Sequence, residues 1–309
     1  MPRLGAHLSI AGGLPRAVDR ARAAGCETLQ IFTRSVGQWR ARPLSDEEAA
    51  EFRRRAAACR IAPLFAHDSY LINVAAADAT LRARSIAALD DELDRAERLA
   101  LDGLVMHPGA ATGGSEADAV ARVIDALGEL LARRPGRVRI LLEHTAGQGT
   151  TLGHRFEQLA AILDGLGRPA RVGLCLDTCH LVAAGYPIAT PEGYEATFRA
   201  LDALVGLDRV HLFHLNDSRR PCGSRVDRHE HIGRGCLGLA TFRRLLRDPR
   251  FAALPMILET PKTERGWREG VDPLDRMNLA VLRRLLRRRA AGGRGQAAAV
   301  SPNTIASNR

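Results

Sequence analysis

The sequence predicts an α/β protein, a (β/α)8 barrel with its chemistry at the carboxyl ends of the strands. Three observations lead there. Short β-like runs alternate with amphipathic stretches along the chain, the order of parallel β/α units. The runs number eight, the count that suggests a closed barrel. Six of them stop at, or one residue past, a His, Asp or Glu, side chains that packing alone does not require.

Taken in order, the runs are Arg3–Leu8, Thr28–Thr33, Pro63–His67, Gly103–His107, Val138–Glu143, Val172–Asp177, Val210–Leu215 and Pro255–Glu259. The stretches between them read as helices. Residues Asp78–Leu101, for example, set Leu81, Ile86, Leu89, Leu93 and Leu99 among Arg, Asp and Glu. Beyond Ala290 a Gly-Gly-Arg-Gly-Gln-Ala-Ala-Ala segment and a polar end read as a disordered tail. The expected division is a barrel domain over 1–285 and a basic tail over 286–309.

Composition narrows the class. The chain has 309 residues, 46% hydrophobic and 26% charged, which excludes disorder of the whole chain. No apolar run approaches the ~18 residues of a membrane span, and the amino terminus has no signal-like stretch. The expected location is cytoplasmic. The net charge is +10, of which seven arginines after Leu282, with no acid among them, supply +7, leaving +3 for the rest. Arginine outnumbers lysine 44 to 1 (Lys262), a bias that a GC-rich genome explains without function. The six cysteines form no C-x-x-C pair and are expected reduced.

The strand ends carry the chemistry. The third run ends at His67, the fourth at His107, the fifth at Glu143, the sixth at Asp177, the seventh at about His214 and the eighth at Glu259. Side chains alternate faces along a strand, so Glu143 shares a face with Leu141, and Asp177 with Cys175 and Gly173. Singly, each is explained as a satisfied polar residue or a helix cap. Six at equivalent ends of a barrel, where active sites gather, are not. Three local sequences extend the set: His67-Asp68-Ser69-Tyr70-Leu71-Ile72-Asn73; Gly173 to His180, with Asp177 and His180 three apart; and His214 to Gly233, with Asp227 and His229 two apart. The candidate ligands become His67, His107, His180, His214, His229, Glu143, Asp177, Asp227 and Glu259. A catalytic zinc takes about three protein ligands, so nine imply about three ions, or two with spare residues. Mixed imidazole and carboxylate favours Zn²⁺, with Mn²⁺ or Fe²⁺ as substitutes, over Mg²⁺. Such clusters suit in-line displacement at a phosphodiester.

Together these segments resemble endonuclease IV, the metal-dependent AP endonucleases of base excision repair. Gly5-Ala6-His7-Leu8-Ser9-Ile10-Ala11-Gly12-Gly13, Gln38-Trp39-Arg40, Glu143 to Gly149 and Leu258-Glu259-Thr260 add to the likeness, which spans about residues 3–260. The resemblance implies a TIM barrel with three zinc ions, Mn²⁺ being a tolerated replacement. His67 and His107 would hold one ion with Glu143 bridging; Glu143, Asp177, His214 and Glu259 a second; His180, Asp227 and His229 a third. It implies cleavage of double-stranded DNA 5′ to an abasic site, leaving a 3′-hydroxyl and a 5′-deoxyribose phosphate, and removal of groups blocking 3′ ends. Glu143 would also orient the attacking hydroxide. Abasic nucleotides unstack cheaply, and loop side chains fill the gap: Tyr70 and Leu71 match the family's wedge loop, ordinary loop packing being the alternative. Arg219, Arg220, Arg225, Arg228 and Arg234 are candidate phosphate contacts or a solvated charge run. The enzyme is expected to be a monomer, at the nucleoid when it acts on DNA.

Two departures from the family pattern stand out. Gly37 replaces a common basic side chain before Gln38-Trp39, so a contact into the damaged duplex is either missing or supplied by Arg34 or Arg40. His144 follows Glu143 where Asn is usual, and is read as a supporting or loop residue. His7 is expected to support the site or to bond within the interior, His211 to pack, and His231 to reach the site or DNA, while His154 has no supporting context. Cys175 and Cys179 are read as buried thiols. A sugar isomerase or epimerase on the same barrel is the rival enzyme class, but lacks the Asp227-Arg228-His229 cluster. A non-catalytic DNA-binding protein using the tail needs no nine ligands.

Overall fold

Aliphatic residues at alternate strand positions, such as Leu4, Ala6, Leu29 and Ile31, are fully buried beneath a layer of helices. In a computed structural model that describes residues 1–263 and 270–287, the strands are β1 Arg3–His7, β2 Thr28–Phe32, β3 Leu64–His67, β4 Gly103–Met106, β5 Arg139–His144, β6 Val172–Asp177, β7 Val210–His214, β8 Asp217–Ser218, β9 His229–Glu230 and β10 Pro255–Leu258. The helices are α1 Leu14–Ala24, α2 Asp46–Cys59, α3 Ala79–Arg98, α4 Glu116–Arg133, α5 Phe156–Gly165, α6 Thr178–Ala184, α7 Pro191–Leu204, α8 Gly238–Arg247 and α9 Pro273–Leu286. Strands β1 to β7 and β10 close into a barrel, each paired parallel to its neighbours. The protein is a TIM barrel. Strands β8 and β9 form a separate antiparallel pair above it. The expected tail lies outside the described residues apart from Leu286 and Arg287.

The inward faces build a second, smaller core. Phe65, Val105, Leu141, Cys175, Leu212 and Ile257, one from each of six strands, form their own buried cluster in the barrel interior. Burying each such side chain is worth about 1.5–3 kcal/mol. At the floor, β7 carries a register shift opposite Leu174 and Cys175, and His211 lies there against Gly173, where a Cβ would fall 2.2 Å from its ring. His211 therefore packs at the end of the barrel away from the mouth.

Helix ends follow side-chain chemistry. Asp78 caps α3 by accepting from the Leu81 amide at 2.7 Å, and Ser45 and Ser115 cap α2 and α4 in the same way. Helix α3 stops at Arg98 rather than Leu101, because Ala100 turns to φ 57 and the chain drops into β4. The strands run slightly short of the expected bounds: Leu8, Thr33, His107, Leu215 and Glu259 start the loops, while β5 extends to include His144.

Candidate metal centre

Two residues beyond each member of the interior cluster stands a candidate donor. His67 follows Phe65, His107 Val105, Glu143 Leu141, Asp177 Cys175, His214 Leu212 and Glu259 Ile257. Alternate residues share a face, so a strand that buries one in the barrel aims the next into the mouth. His180 comes from the first turn of α6, Asp227 from the loop between β8 and β9, and His229 from the start of β9.

Glu143, fully buried, is the hub. Its Oε2 lies 2.9 Å from His67 Nε2 and 3.3 Å from His107 Nε2; its Oε1 lies 3.1 Å from His214 Nδ1 and 3.2 Å from His180 Nδ1. His214 Nδ1 also approaches Glu259 Oε2 at 3.2 Å. Asp227 sits 3.3 Å from His180 Nε2 and 3.2 Å from His229 Nε2, and the latter is 3.6 Å from Asp177 Oδ2. The donor atoms fall into three sets, each confined within 4.8 Å, the first two sharing Glu143: His67, His107 and Glu143; Glu143, Asp177, His214 and Glu259; His180, Asp227 and His229. A fourth set joins Asp177 and His229 to Cys179, whose thiol is pushed up to about 12 by burial and is a poor anion donor.

The surroundings decide which atom each ligand offers. Carbonyls only accept, so the ring nitrogen facing one carries the proton in the neutral imidazole. His67 Nδ1 meets the Asp68 carbonyl at 2.9 Å, His180 Nδ1 that of His144 at 2.9 Å, and His229 Nδ1 that of Glu259 at 3.0 Å. Each keeps its Nε2 lone pair for the mouth. Asp177 caps α6, accepting from the Cys179 and His180 amides at 2.6 and 3.0 Å, while Asn216 donates to its other oxygen at 2.6 Å.

Divalent cations fit this donor set. The Nε2 atoms of His180 and His229 are buried and have no hydrogen-bond partner among the described residues, an arrangement that costs free energy unless something electron-poor lies between them. Burial alone would hold the imidazoles neutral and the carboxyls protonated. Instead Asp68 and Glu143 keep His67 well above its ordinary value, the Asp177, Asp227 and Glu143 carboxylates do the same for His180, and the imidazoles hold Glu143 and Glu259 well below theirs. Asp227, though burial opposes it, is drawn to about 2 by His180 and His229. Opposite charges are thus packed where ions would sit, and loading the site would release imidazole protons.

The family model described as a xylose isomerase-like TIM barrel matches residues 18–277. "Probable endonuclease 4" of Chloroflexus aurantiacus is 53% identical over 287 residues, 93% of this chain and 99% of that relative. The crystal structure of endonuclease IV from Thermus thermophilus aligns with a TM-score of 0.80 at 39% identity, covering 92% of this chain and 99% of that one. This chain belongs to the endonuclease IV family. A D-psicose 3-epimerase structure also aligns, with a TM-score of 0.63 over 92% of this chain and 99% of that one, but at 17% identity it shares the fold alone.

In this endonuclease IV family member, Tyr70 is 71% exposed, its ring edge-on to Phe32 at 5.5 Å, and Leu71 beside it is half-buried. Arg228 is exposed at the mouth, donating to the Asp227 carbonyl at 2.5 Å, whereas Arg219 is paired with Glu230 at 2.9 Å. Arg220, Arg225 and Arg234 are exposed and make no ion pair among the described residues. Arg34 is not available to stand in for the basic side chain that Gly37 replaces. It is buried, with its Nε 2.7 Å from Glu92 and an Nη donating to the Trp39 carbonyl at 2.9 Å. That correction leaves Arg40, which is exposed.

The other histidines separate cleanly. His7 Nδ1 lies 3.1 Å from Glu259 Oε1, so it supports the site. His231 is bonded to Asn278 at 3.0 Å and His154 to the Thr151 carbonyl at 2.9 Å. His144 points outward from β5 into a pocket of Phe156 and Tyr186, where burial drops it to about 3 and keeps it neutral. It touches the site only through its carbonyl. Gln30 and Asn216 are buried amides that sequence reasoning missed. The signal for Gln30 was an amide at inward parity between two apolar residues, Leu29 and Ile31.

Proposed function

We propose that this chain is a metal-dependent AP endonuclease, a zinc hydrolase of the deoxyribonuclease IV type, acting in base excision repair. It would cut duplex DNA 5′ to abasic sites, leaving a 3′-hydroxyl and a 5′-deoxyribose phosphate, and would trim blocked 3′ ends. The observation that carries this reading is the meeting of five imidazoles and four carboxylates in one mouth of a chain 53% identical to "Probable endonuclease 4".

In this reading His67 and His107 hold one ion, Asp177, His214 and Glu259 a second, and His180, Asp227 and His229 a third, with Glu143 shared between the first two. Zinc is the expected metal and Mn²⁺ a working substitute. When bound, such ions supply the Lewis acidity and positive charge that in-line displacement at a phosphodiester needs. Glu143, fixed between four imidazoles, orients the attacking water. Tyr70 and Leu71 enter the stack where the base is missing, and Arg228 contacts a phosphate. The partner is damaged double-stranded DNA, bound by a monomer.

The test is nicking of a duplex with one abasic-site analogue. Zinc-replete protein should nick it once, 5′ to the lesion, and a strong chelator should abolish nicking slowly. Glu143→Gln should lower turnover by about 10²–10³-fold, the scale on which loss of transition-state electrostatics is felt, with the fold retained by circular dichroism. No nicking with zinc or manganese present would reject the assignment.

A further inference from the structure

We infer that Gln30 is a positioning residue of the metal centre: its side-chain amide sets which atoms of His214 and Glu259 face the cation. This rests on the reading of the mouth as a metal site. Gln30 lies on β2 in register with His7 on β1 and Phe65 on β3, and is completely buried. A buried amide costs free energy unless both its ends are bonded. Here they are. Its Nε2 donates to Glu259 Oε1 at 2.6 Å, and its Oε1 stands 2.8 Å from His214 Nε2.

The chemistry allows one orientation. A carboxylate only accepts, so the NH2 end must face Glu259 and the carbonyl end must face His214. The imidazole then has to donate from Nε2, which leaves the lone pair on Nδ1. It is Nδ1 that points at the cluster, 3.1 Å from Glu143 Oε1 and 3.2 Å from Glu259 Oε2. The same amide, with His7, occupies Glu259 Oε1 and leaves Oε2 for the mouth. His67, His180 and His229 receive this service from backbone carbonyls, which no substitution removes. His214 receives it from a side chain, and through the opposite ring nitrogen. Partners of this kind change metal affinity about 10–100-fold when removed. The prediction is selective: only the set formed by Glu143, Asp177, His214 and Glu259 depends on Gln30.

The experiment compares full-length wild type, Gln30→Met, Gln30→Glu and Thr28→Val. Each is zinc-loaded, dialysed against graded chelator, and assayed for zinc per chain by elemental analysis; the thermal midpoint of each metal-stripped protein is also measured. Thr28 shares the inward face of β2, buried and bonded to the Pro63 carbonyl at 2.6 Å, so its variant reports the effect of losing a buried hydrogen bond on this face without touching the donors. Gln30→Met should release one equivalent of zinc at about 10–100-fold lower chelator than wild type and keep the others. Gln30→Glu, with a carboxylate against Glu259, should release it at least as readily. A wild-type release profile for Gln30→Met, or parallel loss of every equivalent as in Thr28→Val, would overturn the inference while the metal-centre reading stands. Wild type that retains no zinc at any chelator concentration would overturn that reading, and this inference with it.

Discussion

Tyr70 shows how a single exposed side chain can be informative. An aromatic ring 71% exposed beside a buried polar cluster buries little on folding, so its removal should leave stability within about 0.5 kcal/mol. If it wedges into the gap at an abasic site, Tyr70→Ala should weaken binding of that duplex about tenfold, the value of roughly one base–aromatic stack. Equal affinities of variant and wild type in a gel-shift titration would assign Tyr70 to loop packing. Sequence made the convergence of the nine donor residues legible, because each strand-end donor sits in phase with an apolar inward residue. It did not make Gln30 or Asn216 legible. An amide announces no ligand chemistry, and its partners, Glu259 and Asp177, become neighbours only when the barrel closes. Arg34 was open to misreading for the same reason, since Glu92, which captures it, is 58 residues away.

At the scale of elements, the loops above the mouth are tied to the barrel and to each other. Arg34 bonds Glu92 on α3 and the Trp39 carbonyl, Ser69 Oγ donates to the Val36 carbonyl at 2.8 Å, and the Arg84 guanidinium covers the Trp39 ring at 4.3 Å. Glu92→Ala strands the Arg34 charge in the interior and should cost about 3–5 kcal/mol in denaturant unfolding, whereas Arg34→Met with Glu92→Leu should recover much of it. A double variant no better than the single would refute the buried-pair account. Between α7 and α8, Asp248 accepts from Tyr194 Oη at 2.9 Å and from Arg250, and although burial pushes its carboxyl up, these bonds hold it below the ordinary value. A carboxyl lowered by folding adds stability above its unfolded pKa of about 3.9 and surrenders it as pH falls through the folded value. The stability gap between wild type and Asp248→Asn should therefore shrink below about pH 4; a gap constant from about pH 7 to pH 3 would contradict this. All eight barrel strands were visible in the sequence as apolar runs. The β8–β9 pair was not, since two-residue strands carry no periodicity.

For the whole molecule, the charge distribution matters more than its sum. The net charge is +10, and residues after Ala290 add Arg294 and Arg309 without an acid. Truncation after Ala290 should flatten the slope of log affinity against log salt by up to about 2, near 0.9 for each phosphate no longer neutralised, and leave cleavage intact; loss of cleavage would place those residues in the catalytic structure. No helix among the described residues is long and apolar enough to cross a membrane. Barrel closure was legible from the count of runs, whereas the offset between the interior cluster and the donors above it is a property of the assembled strands. That offset couples two quantities usually treated as separate. Leu141 and Leu212 fill the barrel one pleat below Glu143 and His214, and a close-packed interior passes a change in volume along the backbone. Repacking aimed at thermostability would therefore detune coordination, and selection on the one must constrain evolution of the other.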